Sequence, residues 1–559
     1  MSGAGIGAGR GAIERRQSHQ RPQGIDKLPA QSFTFGGLAF LLLLLRPLES
    51  QLSADSVEIG RRCHNFLRFS AFAFAFFTIC AFALNAAALT GTLQTSWREV
   101  AGTDFARADL IIFACALFIA LLARGPWSGL RCAILAGLAA LALAEQLSVT
   151  HAASRLDLRW PYLLSDAVHM LGAGIWIGGL PYFLIALNQS HKAADWRLVG
   201  RRYSLMSMSS VAAIVVGGIV MSIGYIGSIE AIYGTAYGVM VSTKALLLLI
   251  LLAAGGANYI VVESLRRDPS APIMRLKRFA EVEIGIGLTV LFAAASLTSL
   301  PPGIDLTQDR LSWPEIVERL TPQFPIRLTS PAYDQLTISK LQAKIVVADA
   351  SRTTAPQAYV PGEGIILPRN AADIAWSEYN HHWAGIFVML IGLLALIEHS
   401  RWGRWAKHWP LIFLAMAAFL FFRADEQAWP LGQAGFFASL RDPEVAQHRI
   451  FTLLIILFGL FEWRVRVNGR KDGKAVLVFP LTIAVAGAML LTHSHAIANI
   501  KDELLIEMSH TPLALCGITA GWARWLELRL EGRPSRIASW VWPFAFVIIG
   551  LILLDYREA

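Results

Sequence analysis

The chain has 559 residues, 55% of them hydrophobic and only 16% charged, with a mean hydropathy of +0.50. Soluble domains carry about a quarter charged residues, so this composition excludes a string of water-soluble domains and indicates an all-α polytopic membrane protein. The net charge of +9 is no nucleic-acid footprint, because no run of six basic residues and no basic–aromatic ribbon occurs.

Residues 1–31 form a Gly/Arg/Gln-rich basic tail, expected to be disordered, with no A-x-A-like cleavage site after the first apolar run. That run, Phe33 to Leu45, is short for a span; it either crosses the membrane or lies in its interface. Apolar stretches long enough to cross ~30 Å of hydrocarbon follow at roughly 66–91, 108–123, 132–149, 161–187, 204–226, 239–262 and 279–299. Residues 300–381 differ in kind, being charged and broken by nine prolines, with one β-like run from Ala343 to Val347. Further spans fall at roughly 382–398, 409–422, 448–463, 475–491, 511–527 and 537–555. All should be helices, since a lone strand in lipid leaves its backbone unpaired. The expected architecture is thirteen or fourteen helices in two bundles, 32–299 and 382–559, joined by an extracytoplasmic segment at 300–381.

Lys and Arg set the orientation. One set of alternate short loops holds 27 of them, including Arg61, Arg62, Arg201, Arg202, Arg401 and Arg470, and the opposite set holds 9. The basic set marks the cytoplasmic side, which puts 300–381 outside. The basic tail disagrees if residues 33–45 span. The scattered cysteines (Cys63, Cys80, Cys115, Cys132 and Cys516) include no C-x-x-C, which excludes a disulfide framework and a zinc ribbon.

This orientation sorts the histidines. His151, His381, His382, His448, His493, His495 and His510 fall in outer loops or at outer helix ends, and His169 stands about two turns inside a span. Asp166, His169 and Met170 follow at i, i+3 and i+4, a helical spacing that groups side chains. Met508 lies beside His510, and Met221 and Met240 occupy outer halves of their helices. Imidazole, thioether and carboxylate together suit copper, and thioether suits Cu(I) in particular. Histidine is also at home at a membrane interface, where its apolar body and polar tip are both accommodated. An ionisable residue inside a span, such as His169 or Lys244, is a functional candidate by default. Gly174 and Gly178 read as a close helix-packing pair. The tryptophans near helix ends, including Trp405, Trp409, Trp429, Trp540 and Trp542, read as an aromatic belt. No Walker A, G-x-S-x-G or H-E-x-x-H motif supports ATP-driven pumping or hydrolysis.

The stretch His151-Ala152-Ala153, then Ser165-Asp166-Ala167-Val168-His169 leading into Gly174-Ile175-Trp176-Ile177-Gly178-Gly179-Leu180, resembles the copper resistance protein D (CopD) family. Arg201-Arg202-Tyr203-Ser204, Tyr237-Gly238 with Lys244, and Asn258 continue the resemblance in order, over roughly residues 33–300. It implies a bacterial inner-membrane protein that moves copper from periplasm to cytoplasm with a periplasmic copper chaperone, without an organic cofactor and without enzymatic activity. It also implies that His151, His169, Tyr237 and Lys244 are worth testing. The second bundle resembles an extension of longer members. Two other readings stay open: a membrane oxidoreductase holding haem or copper, and a non-transporting copper sensor or assembly factor.

Overall fold

The structure is a computed structural model. It describes residues 27–53, 55–92, 96–124, 127–155, 157–268, 273–337, 370–400, 403–426, 428–432, 434–440, 443–469, 473–491 and 500–558. Among these residues the chain is helical and forms no strand, as a backbone in lipid requires. Contacts divide it into two compact units, Met1–Ile232 with Met240–Thr307, and Tyr233–Val239 with Gln308–Ala559.

Eight long helices build the first unit: α1 (Leu28–Leu48), α2 (Ser56–Thr92), α3 (Asp104–Leu122), α4 (Gly129–Ser148), α5 (Arg159–Gln189), α6 (Ala193–Tyr225), α7 (Ala236–Arg267, whose first turn belongs to the second unit) and α8 (Ile273–Ser299). Helix α1 is longer than its apolar run suggests, with 21 residues including a π-helical turn at Phe40–Leu45. Its polar first turns do not end it, because Gln31, Ser32 and Thr34 are buried and the Thr34 hydroxyl donates 2.8 Å back to the Ala30 carbonyl. At 1.5 Å per residue α1 can cross the hydrocarbon, which favours the spanning alternative for this run. It runs against α5 at backbone contact. A Cβ on Gly178 would lie 1.8 Å from the Ser32 carbonyl oxygen, and one on Gly36 would lie 2.1 Å from the Gly178 carbonyl carbon. The Gly174/Gly178 pair therefore does the packing its spacing predicts. Around this seam the core collects Phe40, Leu44, Leu67, Ile119, Tyr182 and Leu276.

The second unit holds α9 (Ala371–Glu398), α10 (Trp405–Arg423), α11 (Pro443–Asn468), α12 (Lys474–Leu490), α13 (Ile500–Arg529) and α14 (Gly532–Leu554). Asn370 caps α9, accepting from the Ala372 and Asp373 amides at 2.7 and 3.0 Å. Trp409, Phe413, Phe479, Trp542 and Phe546 form an aromatic core. Trp409 and Trp542 are therefore not part of an interfacial belt; at 2% and 0% exposure they are core residues, whereas Trp405, Trp429 and Trp540 are exposed. Both buried indoles need acceptors. Trp409 donates to Glu398 at 2.8 Å and Trp542 to Glu527 at 2.7 Å.

Eleven helices, α1 to α10 and α14, are long and apolar enough to cross a membrane among the described residues. That is fewer than the thirteen or fourteen expected spans. The other three expected spans are helices too, but α12 is short, and α11 and α13 carry charges into their bundle, Glu462, Arg466 and Arg524 among them. Of the intervening segment, Gly303–Asp305, Trp313–Leu320 and Tyr333–Gln335 are helical turns or short helices. Ser312 and Glu315 make a capping box, and Lys501 adds an ion pair at 3.2 Å. Hydrogen bonds from Ser312, reinforced by Lys501, hold the Glu315 carboxyl down at about 2. The β-like run Ala343 to Val347 lies outside the described residues.

Candidate functional site

Ten residues into α5, roughly 15 Å by helical rise, His169 meets α6 where that helix has no side chains to keep it away. Gly217 and Gly218 face it; a Cβ on Gly217 would stand 3.0 Å from the His169 Cβ, and one on Gly218 would stand 3.5 Å from Nδ1. The ring thereby reaches the α6 backbone, with Nδ1 at 2.9 Å from the Ile214 carbonyl. A carbonyl only accepts, so Nδ1 carries a proton, and the neutral form of the ring has its lone pair on Nε2. A backbone-oriented imidazole of this kind is how proteins prepare a metal ligand.

Asp166 is one turn earlier on α5, and Lys244 on α7 lies within electrostatic reach of both Asp166 and His169. The Thr150 hydroxyl, near Asp166, donates 3.0 Å to the Leu147 carbonyl. At this end of the unit the Arg155 guanidinium sits over the rings of Tyr162 and Tyr225, at 5.6 and 5.1 Å from their centroids. Carboxylate, ammonium, imidazole and guanidinium thus gather around α5, α6 and α7. Met170 points elsewhere, packing against the cluster of Phe35, Phe74, Ile112 and Ala142. A step of one residue turns the side chain by about 100°, which separates Met170 from the His169 side. Tyr237 is buried in the first turn of α7, in the second unit. The side chain of His151, in the short helix His151–Ser154, lies outside the described ones.

In the second unit the structure brings two of the expected histidines together. The rings of His381 on α9 and His510 on α13 are 5.8 Å apart, and Tyr556 stacks on His381 at 3.7 Å. His381 Nδ1 is 2.9 Å from the Ser377 carbonyl, and the Tyr556 hydroxyl donates to Glu558 at 2.8 Å. His382 faces main chain with both nitrogens, 3.0 Å from the carbonyls of Arg327 and of Tyr556. His448 Nδ1 pairs with Asp425 at 2.6 Å. Met508 is half-buried on α13, and His493 and His495 lie outside the described residues. Among the described residues no three His, Cys, Asp or Glu side chains converge as a preformed metal cluster.

Sequence reasoning passed over Arg155, Tyr162 and Tyr225, whose aromatic and cationic character is unremarkable until α5 and α6 are paired. It also passed over Glu283 on α8. There a signal was available, since a carboxylate inside an apolar span is costly wherever it occurs.

Eleven membrane-length helices and an ionisable group set between three of them define a multi-pass α-helical membrane protein with an intramembrane polar site. Residues 197–297, covering α6, α7 and nearly all of α8, match the family model described as copper resistance protein D. The resemblance drawn from residues 33–300 is thereby shown over its C-terminal portion. The copper transport protein CutJ of Bacillus subtilis (strain 168) is 29% identical over 143 residues, 25% of this chain and 25% of that protein. The aligned part thus spans about a quarter of that relative's length. No solved structure matches the chain.

Proposed function

We propose that this protein carries copper across the bacterial inner membrane, from periplasm to cytoplasm, in the service of copper resistance or homeostasis. The observation that carries the reading is His169, its Nδ1 bound to the Ile214 carbonyl with Lys244 within electrostatic reach. Copper is the cargo. Cu(I) accepts low coordination and soft or imidazole donors, so a transit site needs fewer ligands than a storage site. Asp166 supplies negative charge, and the Lys244 ammonium balances it while no cation is present. An arriving copper ion takes over that balance. His151 stands earlier on the same route, and Tyr237 is a further candidate that the family resemblance implies, whereas Met170, turned into the Phe35 cluster, is not part of it.

A periplasmic copper chaperone delivers the ion to the outer histidines. His381 and His510, which meet over Tyr556, are the best placed of these, with His493, His495 and Met508 near His510 in sequence and His448 as a further member. His382 is committed to carbonyls and acts in packing. In this arrangement residues 32–299 form the copper-passing bundle, 300–381 face the periplasm, and 382–559 carry the outer histidines of the second bundle. The family description and the relative's name speak of copper resistance and copper transport rather than catalysis.

The test is copper uptake into proteoliposomes holding the purified full chain. His169→Ala is expected to lower uptake by at least about tenfold, in line with the cost of disturbing a metal ligand's setting. Uptake unchanged in that variant would overturn the route. A Soret band in the purified protein would point instead to a haem oxidoreductase.

A further inference from the structure

Seven residues along α5 from His169, about 10 Å by helical rise, Trp176 marks a second polar layer in the first unit. Glu283 enters it from α8 at 3% exposure and Asn258 from α7 at 7%. The Asn258 amide nitrogen donates to Glu283 Oε1. The other end of that amide, Oδ1, is buried without a hydrogen-bond donor. Around the pair, α6 brings Tyr203, whose hydroxyl donates 2.6 Å to the Trp176 carbonyl and which lies within electrostatic reach of Glu283. From α5 comes the Trp176 ring; a Cβ added at Gly255 would lie 3.9 Å from its Cζ2 and 3.6 Å from Glu283 Oε2. Helix α1 presents no titratable side chain between Leu28 and Leu45. The neighbouring Glu281 is engaged by Arg278. Among the described residues no cation pairs with Glu283.

A carboxylate at this depth with one amide hydrogen bond is poorly compensated. The layer has acceptors in excess: two carboxyl oxygens and an amide oxygen share one amide N–H pair. A proton on the carboxyl corrects both defects, removing the charge and supplying the O–H donor that Asn258 Oδ1 lacks.

We propose that Glu283, seated against Asn258, is a proton-binding site that couples copper movement through this bundle to proton release. Loading forms one O–H bond on the Glu283 carboxyl; release breaks it and returns the proton to water, and no electron moves. The neutral acid is the resting state. The ionised carboxylate supplies the counter-charge when a copper cation occupies the bundle, so the proton leaves as copper enters. This coupling rests on the copper reading above, whereas proton binding by Glu283 does not.

Two measurements on the full chain in lipid test it. Infrared difference spectra across a pH titration should contain a carboxylic-acid C=O band that disappears in Glu283→Gln and returns, shifted, in Glu283→Asp. Copper uptake into proteoliposomes should rise with pH, approaching about tenfold per unit where one proton competes with the ion. In Glu283→Gln it should be slow and flat with pH. A band that persists in Glu283→Gln, or an unchanged pH profile in that variant, overturns the proposal. A wild-type protein that shows the band but moves no copper sinks the transport reading and leaves the proton site standing. Should Glu283→Gln fail to fold, Glu283→Asp decides alone: an unshifted band with an unaltered uptake profile overturns the proposal.

Discussion

Glu462 has a fully buried side chain on α11, held between two guanidinium groups, Arg466 and Arg524, each at 2.7 Å. Arg466 reaches on to Glu398, and Arg524 to Glu527 at 2.7 Å. The two outer carboxylates then receive the indole N–H groups of Trp409 and Trp542, and Arg466 lies over the Trp409 ring at 4.8 Å. Charges from three helices thus satisfy one another where water cannot. Such a network adds little over a well-packed apolar core, yet losing one member exposes the rest. Arg524→Met is expected to destabilise the protein by about 3–5 kcal/mol, because Glu462 and Glu527 lose a buried counter-ion together. Glu462→Gln combined with Arg524→Met should cost less than the sum of the single changes. Chemical unfolding in detergent, read through tryptophan emission, measures both, and a loss within about 0.5 kcal/mol, as at an ordinary surface site, would refute the network's role.

At the scale of elements, small residues decide where helices meet. Helices in lipid gain little from apolarity alone, so close backbone approach and packing hold them together. The α1–α5 seam depends on Gly36 and Gly178, and the seat of His169 depends on Gly217 and Gly218. Gly178→Ala places a methyl group where the Ser32 carbonyl stands and should cost about 1–3 kcal/mol through overpacking. Gly256→Ala, which meets nothing within 4 Å, should cost nothing. Equal thermal midpoints for the two variants would show that the seam is not under this constraint. The same seam explains why α1 outgrew its apolar run. Its polar residues are covered by a neighbour, a relation that hydropathy along one chain cannot register.

For the whole molecule, the proposed function turns on orientation, because copper imported from the periplasm would have to meet the His169 end first. The loop charges predict that orientation, and labelling checks it. Gln308→Cys should react with a membrane-impermeant maleimide in spheroplasts, whereas Lys192→Cys should react only after permeabilisation. The reverse pattern would turn the protein over and with it the direction of transport.

Class, helical content and the approximate position of every long helix were determined by the sequence itself, because in hydrocarbon each segment must satisfy its own backbone and the required length is set by the membrane. His169, Asp166 and Lys244 were legible as ionisable residues inside spans, and the copper resistance protein D match at 197–297 agrees with the motifs from Arg201 to Asn258. Which side chains share a space was decided only by tertiary structure. Asp166 and His169 fall together with Lys244 while Met170 turns into an apolar cluster, and His381 meets His510 while His382 is consumed by carbonyls. Trp409 and Trp542 left the expected belt for the core, and Glu283 gained its meaning from Asn258, 25 residues away. Spacing along one helix fixes an angle, but the neighbour that occupies that angle comes from elsewhere in the chain.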